Sequence, residues 1–158
     1  IAIRYPRGSA HQGLQEYQAP VEYGRSEIIR KGKKIAVLGV GSMIPSCMEI
    51  CKGLKDDGYD PTFVNARFVK PLDVDLLDEL AKDHSLFVTV EENVKSGGYG
   101  EHVSAYMEAC HPEIRVLSAA VWDRFVPQGN VESLRSRIGL GVEDIRQAIE
   151  DSEELREQ

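Results

Sequence analysis

Apolar positions in the middle of the chain follow two alternating periods, one typical of buried strands and one typical of amphipathic helices. Residues 63–69 are rich in β-branched and aromatic side chains, and the run stops at Lys70-Pro71, since proline cannot donate a hydrogen bond to a sheet. Asp73 precedes a segment whose leucines share one helical face, so Asp73 is predicted to cap a helix. Residues 85–92 are almost continuously apolar, as expected of a parallel strand covered on both faces. The pattern therefore predicts a strand, a helix and a second strand, followed by a glycine-rich turn at residues 96–100.

The N-terminal half is predicted to contribute two strands and one helix. Ser26–Arg30 and Lys34–Val40 have strand character and are joined by a very short turn. A parallel connection needs a dozen or more residues, so the two strands are predicted to pair antiparallel, with Ser26–Arg30 at the edge of the sheet. A helix with a broad apolar face follows from about Met43, and Gly58 is predicted to end it in a left-handed conformation.

The C-terminal half is predicted to continue the alternation of strands and helices. A helix is predicted from about Glu101 to Cys110, and the last strand runs from Ile114 to Val121. Asn130 is predicted to cap a short helix that ends at Gly139, before a final helix. Strands that alternate with helices, together with one antiparallel strand, predict an α/β fold: a three-layer α/β/α sandwich around a mixed sheet.

The two ends of the chain differ from its middle. The sequence opens inside a predicted strand at residues 1–5 and has no initiator Met, so we expect it to be a piece of a longer polypeptide. Residues 9–24 have no consistent period and are predicted to be a linker. The folded domain is expected to span residues 25–151, with residues 152–158 as a frayed tail.

Composition and charge exclude some classes of partner. The chain has 158 residues, 42% of them hydrophobic and 28% charged, which is ordinary for a globular domain. Its net charge of −7 disfavours nucleic acid and anionic membranes, since both reward clustered Lys and Arg. The sequence also contains no apolar run of about 20 residues, the length that spans a bilayer.

The three cysteines are predicted to be free thiols rather than ligands. Cys47 and Cys51 lie four residues apart on a predicted helix, which is not the spacing of a thioredoxin-type pair, and neither a second cysteine pair nor a histidine pair lies nearby to complete a metal site. Buried free thiols point to a reducing compartment, and the cytoplasm is the expected location.

Two glycine-rich turns are the candidate ligand loops. Gly39 and Gly41 lie between a strand and a helix, but Ile44 stands where the dinucleotide pattern needs a third glycine, so a tight turn is predicted instead. The second turn contains Gly97, Gly98 and Gly100 and follows Glu91 and Glu92 at the carboxyl end of a strand, the usual ligand side of an open α/β sheet.

The second turn leaves several roles open. Its two carboxylates suit a general base, a metal ligand or an interface contact, and contacts between domains are favoured over direct ligand binding. Arg4 and Arg7 flank a Tyr-Pro turn, where two guanidinium groups suit either a phosphate or carboxylate clamp or ordinary salt bridges. The four histidines are scattered, with no nucleophile placed beside them, and His84 is predicted to lie at a helix end.

Six segments of the sequence, taken in order, resemble one enzyme family. They are IAIRYPRG at residues 1–8, IAVLGVGSM at 35–43, NARFVKPLD at 65–73, VTVEENVKSGGYGEHV at 88–103, WDRFVPQG at 122–129 and LRSRIGLGVEDI at 134–145. They look like the C-terminal part of the 1-deoxy-D-xylulose-5-phosphate synthases, thiamine-diphosphate enzymes of the transketolase type. The family often has Leu-Pro-Asp where this chain has Val121-Trp122-Asp123, and often has His at the position of Gln128.

The resemblance implies a fold and a parent enzyme. It implies a five-stranded mixed sheet with one antiparallel strand, and it makes residues 1–8 the end of a preceding pyrimidine-binding domain. The parent would be a cytoplasmic homodimer that uses thiamine diphosphate and Mg²⁺ to condense pyruvate with glyceraldehyde 3-phosphate, giving a precursor of isoprenoids, thiamine and pyridoxal. The family's GDG…N cofactor motif is absent from this sequence, so the fragment is expected to bind no cofactor and to be inactive alone.

The resemblance also assigns site residues. Arg7 matches a family position proposed to hold the substrate phosphate, whereas Glu91, Glu92 and the glycines at 97, 98 and 100 match positions that look like domain and dimer contacts. No catalytic, cofactor-binding or metal-binding residue carries over. Two alternatives stay open: the matching piece of a transketolase or of a 2-oxoacid dehydrogenase β subunit, and a free-standing anion- or nucleotide-binding module.

Overall fold

The protein folds into one mixed sheet covered by helices on both faces. The structure, a computed structural model, describes residues 2, 3, 5, 11–17 and 19–152. In that part of the chain the strands are β1 (Glu27–Arg30), β2 (Lys34–Gly39), β3 (Thr62–Asn65), β4 (His84–Val94) and β5 (Arg115–Val121). The helices are α1 (Ile44–Asp56), α2 (Val74–Leu80), α3 (Tyr99–Cys110), α4 (Val131–Arg137) and α5 (Val142–Glu150), and a 3₁₀ turn (Gly41–Met43) leads into α1.

The sheet has five strands in the order β1-β3-β2-β4-β5, and one pair is antiparallel. Strand β1 runs antiparallel to β3, whereas β3, β2, β4 and β5 are mutually parallel. On β2, Ile35 and Val37 face a core formed with α1 and α5, and Ala36 and Leu38 face a core formed with α2 and α3. The predicted three-layer α/β/α sandwich is therefore confirmed, with its central strand buried on both faces.

The prediction that the first two strands form a hairpin is wrong, although the first strand is antiparallel and at the edge as predicted. Strand β3 lies between β1 and β2 because the connecting turn crosses the beginning of β3. The Lys33 N–H donates to the Asp60 carbonyl at 2.6 Å, and the Gly32 N–H donates to Thr62 Oγ1 at 2.9 Å. The turn packs so closely that a Cβ on Gly32 would lie 2.6 Å from the Pro61 carbonyl carbon.

Helix caps lie where the sequence places them. Asp73 Oδ1 accepts from the Leu76 N–H at 3.4 Å, and Asn130 Oδ1 accepts from the Glu132 N–H at 3.0 Å. Gly58 and Gly139 follow their helices with φ of +92° and +77°. These ends depend on contacts within a few residues, which explains why the sequence predicts them well.

Strand lengths are predicted less well than caps. The strand predicted over residues 63–69 ends at Asn65, because Arg67 has a left-handed φ of +54° that interrupts extended pairing. Of the strand predicted at residues 1–5, the described Ala2, Ile3 and Tyr5 are not in a strand, and its other residues lie outside the described ones. No helix in the described part of the chain is long and apolar enough to cross a membrane.

The predicted free thiols are confirmed for the cysteines of α1. Cys47 and Cys51 are free and buried in the core beneath that helix. Burial raises the pKa of both thiols, that of Cys51 to about 12, so neither is a ready thiolate. Cys110 is also free, but it is exposed.

Candidate functional site

The carboxylate of Glu91 lies buried at the N-terminus of α3. Its Oε2 accepts from the Tyr99 N–H at 3.0 Å and its Oε1 accepts from the Gly100 N–H at 2.8 Å. Glu91 is only 2% exposed. The first amides of a helix are unpaired and carry the positive end of its dipole, so they favour an anion. Here the chain's own carboxylate is that anion, and it occupies the turn that the sequence offers as an anion site.

Close packing leaves no room for a side chain at two glycines of this turn, Gly98 beside Glu91 and Gly100 beside Thr89. A Cβ on Gly98 would lie 2.6 Å from both Glu91 Oε1 and the Val94 carbonyl oxygen. A Cβ on Gly100 would lie 2.5 Å from Thr89 Oγ1. A Gly98→Val substitution would thus displace the buried carboxylate.

Glu92 lies on the opposite face of β4 from Glu91. Its Oε2 accepts from the Ser42 hydroxyl at 2.8 Å, and its Oε1 accepts from Arg135 Nε at 3.0 Å. Consecutive residues of a strand point to opposite faces, so the two neighbouring carboxylates cannot share a proton or a metal ion. Glu92 instead ties the loop before α1 and the helix α4 to the end of β4.

The sequence left three roles open for Glu91 and Glu92: general base, metal ligand or interface contact. The geometry bears differently on each role. Both oxygens of each carboxylate already accept hydrogen bonds from the protein. Among the described residues, no group of three or more His, Cys, Asp or Glu side chains is placed to hold a metal ion. Glu91, Gly98 and Gly100 are buried and present no surface to a partner, whereas Glu92 is half-buried and Gly97 is exposed. The expected domain or dimer contact stays a prediction for all five residues, of which Glu92 and Gly97 have exposed surface in this domain.

The first glycine turn is also explained by internal packing. Gly41 has a left-handed φ of +55°, and a Cβ on Gly39 would lie 2.8 Å from Cys47 Sγ. Met43 and Ile44 are buried, and Ser42 is bonded to Glu92. The segment is a tight 3₁₀ turn that brings α1 onto the sheet.

Arg7 and Arg4 lie outside the described residues, so the phosphate role of Arg7 stays a prediction. The structure does show how the segment that follows them is attached to the domain. Arg67 donates from Nη1 to the Pro20 carbonyl and from Nη2 to the Ala19 carbonyl, both at 3.2 Å, and it pairs with Glu27. Sequence analysis missed this clamp, because nothing local distinguishes Arg67 from any other arginine in a loop.

His84 is the first residue of β4, and its ring contacts the C-terminal end of α2, where the sequence analysis placed it. Its Nδ1 lies 2.8 Å from the Leu80 carbonyl oxygen and its Nε2 lies 2.7 Å from Thr62 Oγ1. Because the Leu80 carbonyl can only accept, Nδ1 carries the proton of the neutral ring, and Nε2 accepts from the Thr62 hydroxyl. Burial lowers the pKa of His84, so the ring is a neutral structural group.

A second polar cluster, on the surface, was not predicted. Asp78 Oδ1 accepts from the Tyr106 hydroxyl at 2.8 Å and lies 2.8 Å from His111 Nε2. The hydrogen bonds from His111 and then from Tyr106 lower the pKa of Asp78. The three side chains come from α2, α3 and the loop after α3, so only the fold brings them together.

Comparisons with known proteins agree on one family. The family model for the transketolase C-terminal domain matches residues 24–145. The 1-deoxy-D-xylulose-5-phosphate synthase of Lachnoclostridium phytofermentans is 40% identical over 146 residues, which are 92% of this chain and 23% of that protein. The enzyme of the same name from Dictyoglomus thermophilum is 40% identical over 150 residues, which are 94% of this chain and 24% of that protein. The chain thus spans about a quarter of the length of these curated relatives.

Solved structures show the same fold. A split-gene transketolase, described as an inactive β4 tetramer, superimposes with a TM-score of 0.80 and 28% identity, over 87% of this chain and 45% of that one. A transketolase from Campylobacter jejuni superimposes with a TM-score of 0.57 over 82% of this chain and 19% of that one. Its identity is only 17%, so this second likeness supports the architecture alone.

Proposed function

The chain belongs to the transketolase C-terminal domain family, and from that premise we propose that it is the C-terminal domain of a 1-deoxy-D-xylulose-5-phosphate synthase. The observation that carries the proposal is the 40% identity to such synthases over 92% of the chain. The relatives are about four times longer, so the remaining domains of the proposed enzyme lie in the rest of the same polypeptide.

The proposed enzyme condenses pyruvate with glyceraldehyde 3-phosphate in the cytoplasm. Thiamine diphosphate, held with Mg²⁺, would supply the carbanion chemistry that follows decarboxylation of pyruvate. The residues described here do not fit that cofactor, because the helix amides that would suit a diphosphate are bonded to Glu91. The cofactor is therefore assigned to the preceding domains, and we expect the 158-residue chain to be inactive alone.

Within the enzyme, this domain has a packing role and one substrate contact. Glu91 and Glu92 fix α3 and α4 to the sheet, which gives the rest of the enzyme and its dimer partner a rigid body to pack against. Arg7 is proposed to bind the phosphate of glyceraldehyde 3-phosphate, since a guanidinium forms two parallel hydrogen bonds to a phosphate.

A transketolase is the main alternative, because a split-gene transketolase is among the similar structures, at a TM-score of 0.80. A 2-oxoacid dehydrogenase β subunit is a further member of the same class. The substrates distinguish the three enzymes. The synthase uses pyruvate as donor and glyceraldehyde 3-phosphate as acceptor, whereas a transketolase uses a ketose donor and a sugar phosphate acceptor. The acceptor of a 2-oxoacid dehydrogenase is a lipoyl domain. A free-standing anion-binding module is disfavoured, since Glu91 occupies the better of the two glycine turns.

The test begins with the gene product in its source cells. An antibody against this domain is expected to detect a polypeptide several times heavier than 17.6 kDa. That polypeptide, purified with thiamine diphosphate and Mg²⁺, should form the 1-deoxy sugar phosphate from pyruvate and glyceraldehyde 3-phosphate. Activity with a ketose donor and no activity with pyruvate would replace the proposal with a transketolase.

Arg7 is tested in the same complete enzyme. Arg7→Ala should raise the KM for glyceraldehyde 3-phosphate by about tenfold or more, because one charge-assisted contact to phosphate is lost. The KM for pyruvate should change little. Arg115→Ala, which removes an exposed arginine of β5, is the matched control. An unchanged KM for glyceraldehyde 3-phosphate in Arg7→Ala would remove Arg7 from the substrate site.

A further inference from the structure

The loop between β5 and α4 carries large apolar side chains that this domain leaves uncovered. Trp122 is 57% exposed and Phe125 is fully exposed, at 104% of the reference value. Val126 is also exposed, and Val131 follows at the start of α4. We call Trp122, Arg124, Phe125, Val126 and Arg137 the β5–α4 surface. Single exposed apolar residues are ordinary, but several within one loop mark an interaction site.

Positive charge accompanies these apolar groups. Arg124 and Arg137 line an open cleft of about 320 Å³ together with Phe125 and Val126. Neither guanidinium has an ion-pair partner among the residues that the structure describes. Lys95 Nζ lies 4.7 Å from the centre of the Trp122 ring. A chain with a net charge of −7 thus presents, at this place, an apolar surface beside two arginines that form no ion pair with any described residue.

This combination matches the buried centre of a protein interface. Aromatic residues and arginine are enriched there, and Trp, Tyr and Arg are the side chains that most often dominate binding energy. Helix α4, which carries Arg137, is held to the end of β4 because Arg135 is bonded to Glu92. Helix α4 therefore presents Arg137 in a set position, which reduces the ordering cost when a partner covers it.

We propose that the β5–α4 surface docks on the part of the same polypeptide that lies outside this chain. The inference rests on the proposed function, in which about three quarters of the synthase precedes this domain. The occupant is expected to present apolar side chains to Trp122 and Phe125, and at least one carboxylate to Arg124 and Arg137. It would thereby set how the C-terminal domain sits on the cofactor-binding domains.

A second copy of this chain fits the surface less well. A two-fold symmetric contact places the same patch on both sides, so Arg124 and Arg137 of both copies would be gathered into one interface. Like charges brought together at an interface are unfavourable. A different, carboxylate-bearing surface satisfies the same guanidinium groups without that repulsion.

Hydroxyl-radical footprinting of Trp122 tests the proposal directly. Oxidation at Trp122 and Phe125 is measured by mass spectrometry in the 158-residue chain and in the complete synthase. Trp122 should be oxidised about tenfold more slowly in the complete synthase, because a buried interface excludes solvent. Equal oxidation rates in the two proteins would overturn the proposal. Protection in the 158-residue chain that increases with its concentration would assign the surface to a second copy and also overturn it.

Two substitutions separate docking from folding. Phe125→Asp should leave the Tm of the 158-residue chain unchanged, since Phe125 contacts solvent, but it should abolish the protection of Trp122 in the complete synthase. Val21→Asp, at a site 71% exposed and outside this surface, should preserve that protection. Protection that survives Phe125→Asp would contradict the proposal.

The outcomes for the reaction and for the surface are independent. A complete polypeptide that protects Trp122 but forms no 1-deoxy sugar phosphate would refute the proposed function and leave the docking surface standing. An active synthase with unprotected Trp122 would refute the docking surface alone.

Discussion

Glu91 stabilises the start of α3 with a charge that solvent does not reach. Its two oxygens accept from the amides of Tyr99 and Gly100, and Gly98 leaves the room that the carboxylate needs. At the scale of single residues, this side chain has the role that a bound anion has at other helix N-termini. Its neighbour Glu92 faces the other side of the sheet and holds Arg135, so two consecutive glutamates hold two different helices.

Glu91→Gln should destabilise the fold by about 2 kcal/mol, because the side-chain amide has only one oxygen to accept from two buried N–H donors. Unfolding in urea, followed by circular dichroism, measures this loss. Glu108→Gln is the matched control, since it removes an exposed carboxylate from the same helix, and it should cost less than about 0.5 kcal/mol. An equal loss of unfolding free energy in the two variants would mean that buried Glu91 contributes no more to stability than an exposed carboxylate.

At the scale of elements, the turn from β1 to β2 decides the strand order. Three residues join the two strands, yet they pass over the start of β3 and leave that strand between them. Gly32 makes the crossing possible because its Cα packs directly on the backbone of Asp60 and Pro61. The Gly32 N–H and the Lys33 N–H are both bonded at the crossing, so the turn is tied to the strand that it passes.

Gly32→Ala should therefore destabilise the protein by about 1–3 kcal/mol, since the added methyl group meets backbone atoms that cannot rotate away. Thermal unfolding of the 158-residue chain provides the measurement. Gly13→Ala is the control, because Gly13 is exposed and its Cβ would meet only the flexible side chain of His11. A Tm for Gly32→Ala that equals the Tm for Gly13→Ala would show that the crossing tolerates a side chain.

At the scale of the whole molecule, His84 connects the turn, the sheet and α2. The chain of bonds runs from the Gly32 N–H to Thr62, from the Thr62 hydroxyl to His84, and from His84 to the Leu80 carbonyl. Burial lowers the pKa of His84 below 6.5, against smaller opposing effects of the Leu80 carbonyl and of Asp83. Protonation would place a proton on Nε2 and remove its capacity to accept from the Thr62 hydroxyl.

Stability should consequently fall on mild acidification. Because the folded-state pKa of His84 is lower than 6.5, the unfolded chain binds this proton more tightly, and stability rises with pH across the window between the two values. The contribution is fully present above about pH 6.5 and is lost as the pH falls towards the folded-state pKa. Urea unfolding at several pH values between about 7.5 and 5 measures this slope.

The variant His84→Asn provides the control for this pH dependence. It should be less stable than the parent at every pH, but its stability should change less between about pH 6.5 and 5, because one buried titrating group is gone. The other three histidines are unchanged in the variant. A pH slope identical to that of the parent chain would assign the acid sensitivity to those histidines instead of His84.

The sequence by itself determined the features that depend on near neighbours along the chain. Asp73, Asn130, Gly58 and Gly139 mark helix ends through bonds and dihedral angles that span only a few residues. The apolar periods determined the type and order of the main elements from residue 26 onwards, since each element must bury one face or two. These local signals, with the family motifs, were sufficient for the three-layer α/β/α fold.

Only the tertiary structure decided which distant groups meet. The turn that suggests a hairpin allows β3 to insert between β1 and β2, because sequence spacing limits how far a turn reaches but not what lies beneath it. The Glu91-Glu92 pair resembles a ligand site in sequence, yet strand alternation sends the two carboxylates to helices on opposite faces. Such contacts join residues far apart in the chain, so they are fixed by packing of the whole molecule and not by any local pattern.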